Sequence, residues 1–325
     1  MLPVLFWALV FVASLAVLVK ASDYFTDSAE RIGISFGISP FIIGVTIIAL
    51  GTSTPELVSS ILAVTKGSPE MVAGNVMGSN VTNILLILGL SAIVGKKMVT
   101  RYELANVDLP LFVGSALLLS LMVADGVFAL AEALLSLALF FVYLLYAIKV
   151  ERVADEARAR SLEGMEAGGA VHPKKKRLKP KIYLKLLLSV FFLYIGANYT
   201  VVSVVKLSEM VGIGTEIIAA SAVALGTSLP ELVVSIRAAA MNKPELAIGN
   251  ILGSNIFNAL GIMGTSALFG TLVIPSTITS FVMPMMIVAT LLYFVIIWEK
   301  EITHWEGWML VIFYVFFLGK LFGLF

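Results

Sequence analysis

The feature that most restricts the fold is a repeat. Residues 38 to 95 and 213 to 270 align without a gap at a constant offset of 175, and about half of the paired positions are identical. Glu56 meets Glu231, Asn75 meets Asn250, Ser79 meets Ser254 and Asn83 meets Asn258. The match runs backwards more weakly, pairing Tyr24 with Tyr199, Ser28 with Ser203 and Arg31 with Lys206. A chain built this way solves one folding problem twice.

The problem is set by apolarity. Of 325 residues 59% are hydrophobic and 13% charged, and the mean hydropathy of +1.02 lies outside the range of soluble chains. Crossing a hydrocarbon core takes roughly 20 apolar residues. About ten such stretches occur, at 2–20, 38–65, 70–94, 106–123, 126–149, 182–206, 213–241, 245–269, 277–298 and 305–323. They are continuous rather than alternating, which predicts helices and excludes a barrel. Each repeat unit then holds five crossings, an odd number, so the second copy enters the membrane upside down. Inverted repeats mark secondary transporters, with the binding site near the midplane where the halves meet. The expected fold is an all-α polytopic membrane protein. It has about ten transmembrane helices in two inverted five-helix repeats, residues 1–149 and 182–325, joined by a basic linker at 150–181. The first segment could be mistaken for a signal peptide. It lacks a basic start, and its removal would leave the sixth helix without a counterpart.

Charge placement suggests orientation. With the N-terminus outside, 19 of the 22 Lys and Arg fall on the inner side, which by the positive-inside rule places both termini outside and the 150–181 loop in the cytoplasm of a plasma-membrane protein. Lys174, Lys175, Lys176, Arg177, Lys179 and Lys181 in that loop could also attract anionic lipid heads. The loop is too short for a folded domain. With no cysteine, thiolate metal sites and cysteine nucleophiles are excluded.

The repeated segment carries a carboxylate that lipid does not tolerate. "GTSTPE" ends at Glu56 and "GTSLPE" at Glu231. Pro55 and Pro230 lack an amide hydrogen, so each helix should break, freeing backbone oxygens at membrane depth beside the hydroxyls of Thr52, Ser53, Thr227 and Ser228. The partner segments "GNVMGSNVTN" and "GNILGSNIFN" place Ser79 with Asn83, and Ser254 with Asn258, four apart on one helix face. Gly74, Gly78, Gly249 and Gly253 allow close helix contact. The set is oxygen-only, with two carboxylates, and suits hard cations. Asn83 and Asn258 could instead bond between helices. Asn80 and Asn255 read as packing or bonding residues, Asn75 and Asn250 are undecided, and Glu70 and Glu245 read as helix starts. Asp23, Asp27 and Glu30 should sit at the inner end of the first helix, with Asp23 able to point along an ion path. His172 and His304 are not expected to relay protons.

These two motif pairs, with "ASDYFTDSAERIG" before the first, resemble the sodium/calcium exchanger family of the cation/calcium antiporter superfamily. The resemblance implies a Na+/Ca2+ antiporter working by alternating access. Glu56 and Glu231 would bridge calcium, with Thr52, Ser53, Thr227, Ser228, Ser79, Asn83, Ser254, Asn258 and the carbonyls of Ala49 and Ala224 as further ligands. It also implies that the long first and sixth helices slide as a pair. Asn at 258, where some relatives carry Asp, resembles the potassium-independent pattern. Proton-coupled exchange of calcium or another divalent cation is the second reading, and a channel the third. An enzyme is not expected, since no His or Lys lies in the motifs. Neither is a resident cofactor, a nucleic-acid partner or an obligatory oligomer.

Overall fold

Long apolar runs free of interior proline give continuous helices, and proline sets where they start or bend. The structure, a computed structural model, describes residues 2–100, 107–165, 180–211 and 226–324. Helix α1 (Leu2–Ser35) is followed by α2 (Pro40–Thr52) and α3 (Thr54–Thr65), bent by 42° where the helix breaks at Ser53. Then come α4 (Glu70–Gly95), α5 (Asp108–Met122), α6 (Leu130–Met165) and α7 (Lys181–Val211). The last four are α8 (Leu229–Ala240), α9 (Pro244–Ala267), α10 (Ile278–Ile297) and α11 (His304–Leu321).

Every expected span finds a helix, the second as the bent pair α2–α3. Among the described residues, six helices are long and apolar enough to cross a membrane, or seven with the bent pair counted as one. Helix α5 is a shorter apolar helix, and residues 213–225, the start of the seventh expected span, lie outside the described residues. Most of the basic cluster of the linker, at 174–179, does too. Helix α6 continues past residue 149 to Met165.

An all-helical reading misses four short strands, β1 (Lys97–Val99), β2 (Val127–Phe128), β3 (Leu272–Val273) and β4 (Glu301–Thr303). They pair antiparallel as β1 with β4, where Met98 faces Ile302, and as β2 with β3, where Phe128 faces Leu272. The offset of 175 carries β1 onto β3 and β2 onto β4, so each two-stranded sheet takes one strand from each half.

The halves meet backbone to backbone where α2 crosses α9. A Cβ on Gly249 would fall against the Phe41 carbonyl and 3.1 Å from the Gly44 Cα, and one on Gly253 would lie 2.7 Å from the Val45 Cα. This is the small-residue contact expected of that pair. At Gly74 and Gly78 the described residues show no such contact: a Cβ at Gly74 would meet only the Ile278 side chain at 3.6 Å, and one at Gly78 would meet nothing within 4 Å.

Lipid-facing positions on α1, α7 and α11 are apolar, as at Leu5, Leu187 and Ile312, while Trp298, Trp305 and Trp308 stand exposed near helix ends, where aromatic anchors sit. The charges of α1 gather at its other end. Asp23 pairs with Arg237 of α8 at 2.8 Å, Asp27 with Lys185 of α7 at 3.0 Å and with Arg31 at 2.8 Å, and Glu30 with Lys243. Asp23 is therefore held in an ion pair rather than aimed along an ion path.

Candidate functional site

Two glutamates lie in the middle of this apolar bundle. Pro55 and Pro230 sit in the first turns of α3 and α8, and each break leaves its glutamate in the first turn of the new half-helix, at the positive end of the helix dipole. Glu56 and Glu231 are each 1% exposed. Buried carboxylates need partners, and here the partners are exchanged between the halves. The Ser53 hydroxyl donates to Glu231 Oε1 at 2.7 Å, and the Ser228 hydroxyl lies 3.4 Å from Glu56 Oε1 and 3.1 Å from Ser79 Oγ.

A second exchange lies behind the first. Thr52 Oγ1 is 3.2 Å from the side-chain oxygen of Asn250, and Thr227 Oγ1 is 3.3 Å from that of Asn75. Each asparagine amide then donates onward, Asn250 to Ser235 at 2.9 Å and Asn75 to Ser60 at 3.1 Å. With both amide groups engaged on the far side, the threonine hydrogens have acceptors and the threonine oxygens keep lone pairs for other company. Asn75 and Asn250 are thus the positioning residues that motif reading left undecided. The signal was present, since 75, 79 and 83 are spaced by four on one face, as are 250, 254 and 258.

What remains is a surplus of acceptors. Glu56 Oε2, Glu231 Oε2, Asn83 Oδ1, Asn258 Oδ1 and Ser254 Oγ are buried with no hydrogen-bond partner, as are the side-chain oxygens of the neighbouring Asn80 and Asn255. Leaving a buried polar atom unpaired costs about 1–3 kcal/mol, and more when charged. Carboxylate and amide oxygens left without partners in this way fit coordination to a cation. They are set among wide helical turns: α4 relaxes to π-helix over Asn83–Leu88 and α9 over Phe257–Ile262, so both partner asparagines sit at or beside a π turn. Such turns recur at functional sites.

The remaining expected residues fall as follows. The Ala49 carbonyl is buried at the break and accepts the Ser53 amide at 3.0 Å, with the Thr52 hydroxyl 3.3 Å away. Ala224 lies outside the described residues. Asn80 donates to the Asn255 carbonyl at 3.2 Å and Asn255 to that of Ile251 at 2.6 Å, the bonding role expected of both. Glu70 and Glu245 lie in the first turns of α4 and α9. Among the described residues no three His, Cys, Asp or Glu come together, so the site has two carboxylates and otherwise neutral oxygens.

Comparison with known proteins follows the same lines. The family model described as sodium/calcium exchanger protein matches residues 6–149 and 181–323. The sodium/calcium exchanger MaX1 of Methanosarcina acetivorans is 34% identical, over 97% of this chain and 98% of that protein. An uncharacterized membrane protein of Methanocaldococcus jannaschii is 30% identical, over 96% of each. Among solved structures, the sodium-calcium exchanger NCX_Mj soaked with zero Na+ and Ca2+ superposes with a TM-score of 0.81 at 28% identity, over 98% of this chain and 99% of that one.

Proposed function

The chain belongs to the sodium/calcium exchanger protein family, and from that premise we propose that it exchanges Na+ for Ca2+ across the membrane at one shared site built on Glu56 and Glu231. The observation that carries this reading is the pair of buried glutamates, each met by a serine of the opposite half, with Glu56 Oε2, Glu231 Oε2, Asn83 Oδ1, Asn258 Oδ1 and Ser254 Oγ buried and without a hydrogen-bond partner. A proton on a carboxyl serves one acceptor at a time, whereas a metal ion takes lone pairs from several of these oxygens together, which favours metal ions as the cargo.

The donor set also explains the exchange. A divalent ion compensates both carboxylates, and so do two or three monovalent ions sharing the same oxygens. Both loads cannot be held together. With neither present, two charged carboxylates would face the apolar interior, which costs roughly 3 kcal/mol or more each even on lenient insertion scales. The loaded site therefore changes access more readily than the empty one, and ion movements in opposite directions become coupled.

Ser53, Ser228, Thr52, Thr227 and Ser79 complete the first layer of oxygens, with the carbonyls of Ala49 and Ala224 at the breaks. The reciprocal pairings, strand with strand, serine with glutamate and threonine with asparagine, support ten crossings in two inverted repeats. Helices α1 and α7 pack lengthwise on each other, through Leu18 on Gly196 and Ser14 bonded to Thr200 at 3.0 Å, which supports their sliding as one body against the rest. The shared end of Asp23, Asp27 and Glu30 with Lys185, Arg237 and Lys243 supports a cytoplasmic placement of that end, with both termini outside a plasma membrane. Asparagine at 258 supports transport without potassium.

The test is calcium uptake into proteoliposomes under an outward sodium gradient, with parallel arms holding a pH gradient, potassium in place of sodium, and no gradient. Uptake in the sodium arm alone is expected. Equal uptake in the pH arm would replace sodium with protons, and uptake without any gradient would indicate a channel.

A further inference from the structure

Helices α1 and α7 enclose a groove of about 690 Å3 on the outer face of the bundle. Its floor is apolar, with Leu188 and Phe192 along α7, and its polar lining includes Lys20, Lys181 and Lys185 and the ring of Tyr24, over which the Lys185 ammonium lies at 4.6 Å. The helices run antiparallel, as the Ser14–Thr200 and Asp27–Lys185 contacts show. In that register Lys20 stands level with the apolar stretch of α7, about two turns deeper than Lys185.

The three lysines are not equivalent. Lys185 has the Asp27 carboxylate at 3.0 Å. Among the described residues neither Lys20 nor Lys181 has an acidic partner. A lysine on an apolar helix below the interface is costly, and it is held there by an anion or by extending its stem along apolar surface to the headgroup level. A groove that offers both an apolar channel and two ammonium groups without an acidic partner among the described residues matches a molecule with an acyl chain and a negatively charged head.

We infer that this groove is a binding site for one anionic phospholipid, its head group at the Lys181 and Lys185 end, its acyl chain along Leu188 and Phe192, and the Lys20 ammonium extended up the groove toward the head group from below. The site is separate from the ion-binding glutamates, and it needs only that α1 and α7 lie in a membrane. It shares Lys181 with the basic cluster of the linker, and the substitutions at 174 and 175 below separate binding in the groove from attraction to the rest of that cluster.

The experiment is native mass spectrometry of the full chain released from neutral detergent, titrated with dioleoylphosphatidylglycerol, with dioleoylphosphatidylcholine and with inorganic phosphate. Each uncompensated lysine near a headgroup contributes about a five-fold gain, so one phosphatidylglycerol should bind roughly thirty-fold more tightly than phosphatidylcholine. Inorganic phosphate, lacking the chain, should not be retained. The preference should vanish in Lys20→Gln/Lys181→Gln and persist in Lys174→Gln/Lys175→Gln. Leu188→Trp, which fills the groove from an exposed position with every charge intact, should remove bound lipid and guards against a lysine variant that fails to fold. Equal binding of the two lipids, retention of phosphate alone, or a preference that follows the 174–175 substitutions and not those in the groove would overturn the assignment.

Discussion

Replacing Gly249 with Ala places a methyl group where α2 and α9 have no room for one. The added Cβ would lie 3.0 Å from the Val45 amide nitrogen and 3.1 Å from the Gly44 Cα, and closer still to the Phe41 carbonyl oxygen. All three are backbone atoms and cannot rotate aside. Carbon contacts relax at about 3.5–4.0 Å, so α2 must move off α9 by roughly 0.5–1 Å. Overpacking of this kind costs about 1–3 kcal/mol, a fall in Tm on the order of 1.5–4 °C for a chain of this size. The same movement carries Thr52 away from Asn250, now 3.2 Å apart, beyond hydrogen-bond range. Loss of that bond should weaken calcium affinity by about ten-fold. Thermal unfolding in detergent and calcium-dependence of flux in proteoliposomes measure the two effects. Gly114→Ala, on α5 with nothing within 4 Å of its Cβ among the described residues, is the control and should leave both unchanged. A Gly249→Ala protein with wild-type Tm and wild-type flux would refute the backbone contact between the halves.

Other outcomes follow from the same geometry. Glu56→Gln and Glu231→Gln should each abolish calcium flux while the protein still inserts and elutes as a folded species on size-exclusion chromatography; normal exchange by either would remove the charge-compensation mechanism. Ser53→Ala and Ser228→Ala should lower calcium affinity by comparable amounts, on the order of ten-fold, because each hydroxyl serves the glutamate of the opposite half; an effect confined to one of them would contradict the reciprocity. A double-mutant cycle on Asp23→Asn and Arg237→Gln should return a coupling of about 0.2–1 kcal/mol in thermal stability, as expected for a partly exposed pair, and shrink at high salt; zero coupling at low salt would mean that the pair does not tie α1 to α8.

Much of this architecture can be read from local spacing. Pro55 and Pro230 mark where a helix must break, and an acidic residue directly after each proline can only begin the next half-helix. The four-residue steps from Asn75 to Asn83 and from Asn250 to Asn258 put one oxygen-bearing face on each partner helix. Relations between distant segments are less legible. Nothing near Ser53 says that its hydroxyl meets Glu231 instead of Glu56, because that choice depends on how the bent pair α2–α3 meets α8. The roles of Asn75 and Asn250 depend on Thr227 and Thr52, which lie far off in sequence. The π turns at Asn83 and Phe257 leave no residue signature either, since Asn-Ile-Leu-Leu and Phe-Asn-Ala-Leu are equally at home in an ordinary helix. The four short strands were missed because two or three residues between membrane helices are too few to show an alternating pattern. Asp23 shows the same difficulty. Its place near the end of the apolar run of α1 is legible, but its partner, Arg237, comes from the other half of the chain.

At the centre of the proposed exchange is one pair of buried carboxylates, whose charge calcium or sodium, never both, would compensate. Calcium binding to the purified protein, measured by isothermal titration calorimetry at rising sodium with choline holding ionic strength constant, addresses this directly. The apparent Kd for calcium should climb more steeply than the first power of sodium concentration, and the binding heat should disappear in Glu56→Gln/Glu231→Gln. A Kd indifferent to sodium, or calcium binding that survives the double substitution, would contradict it.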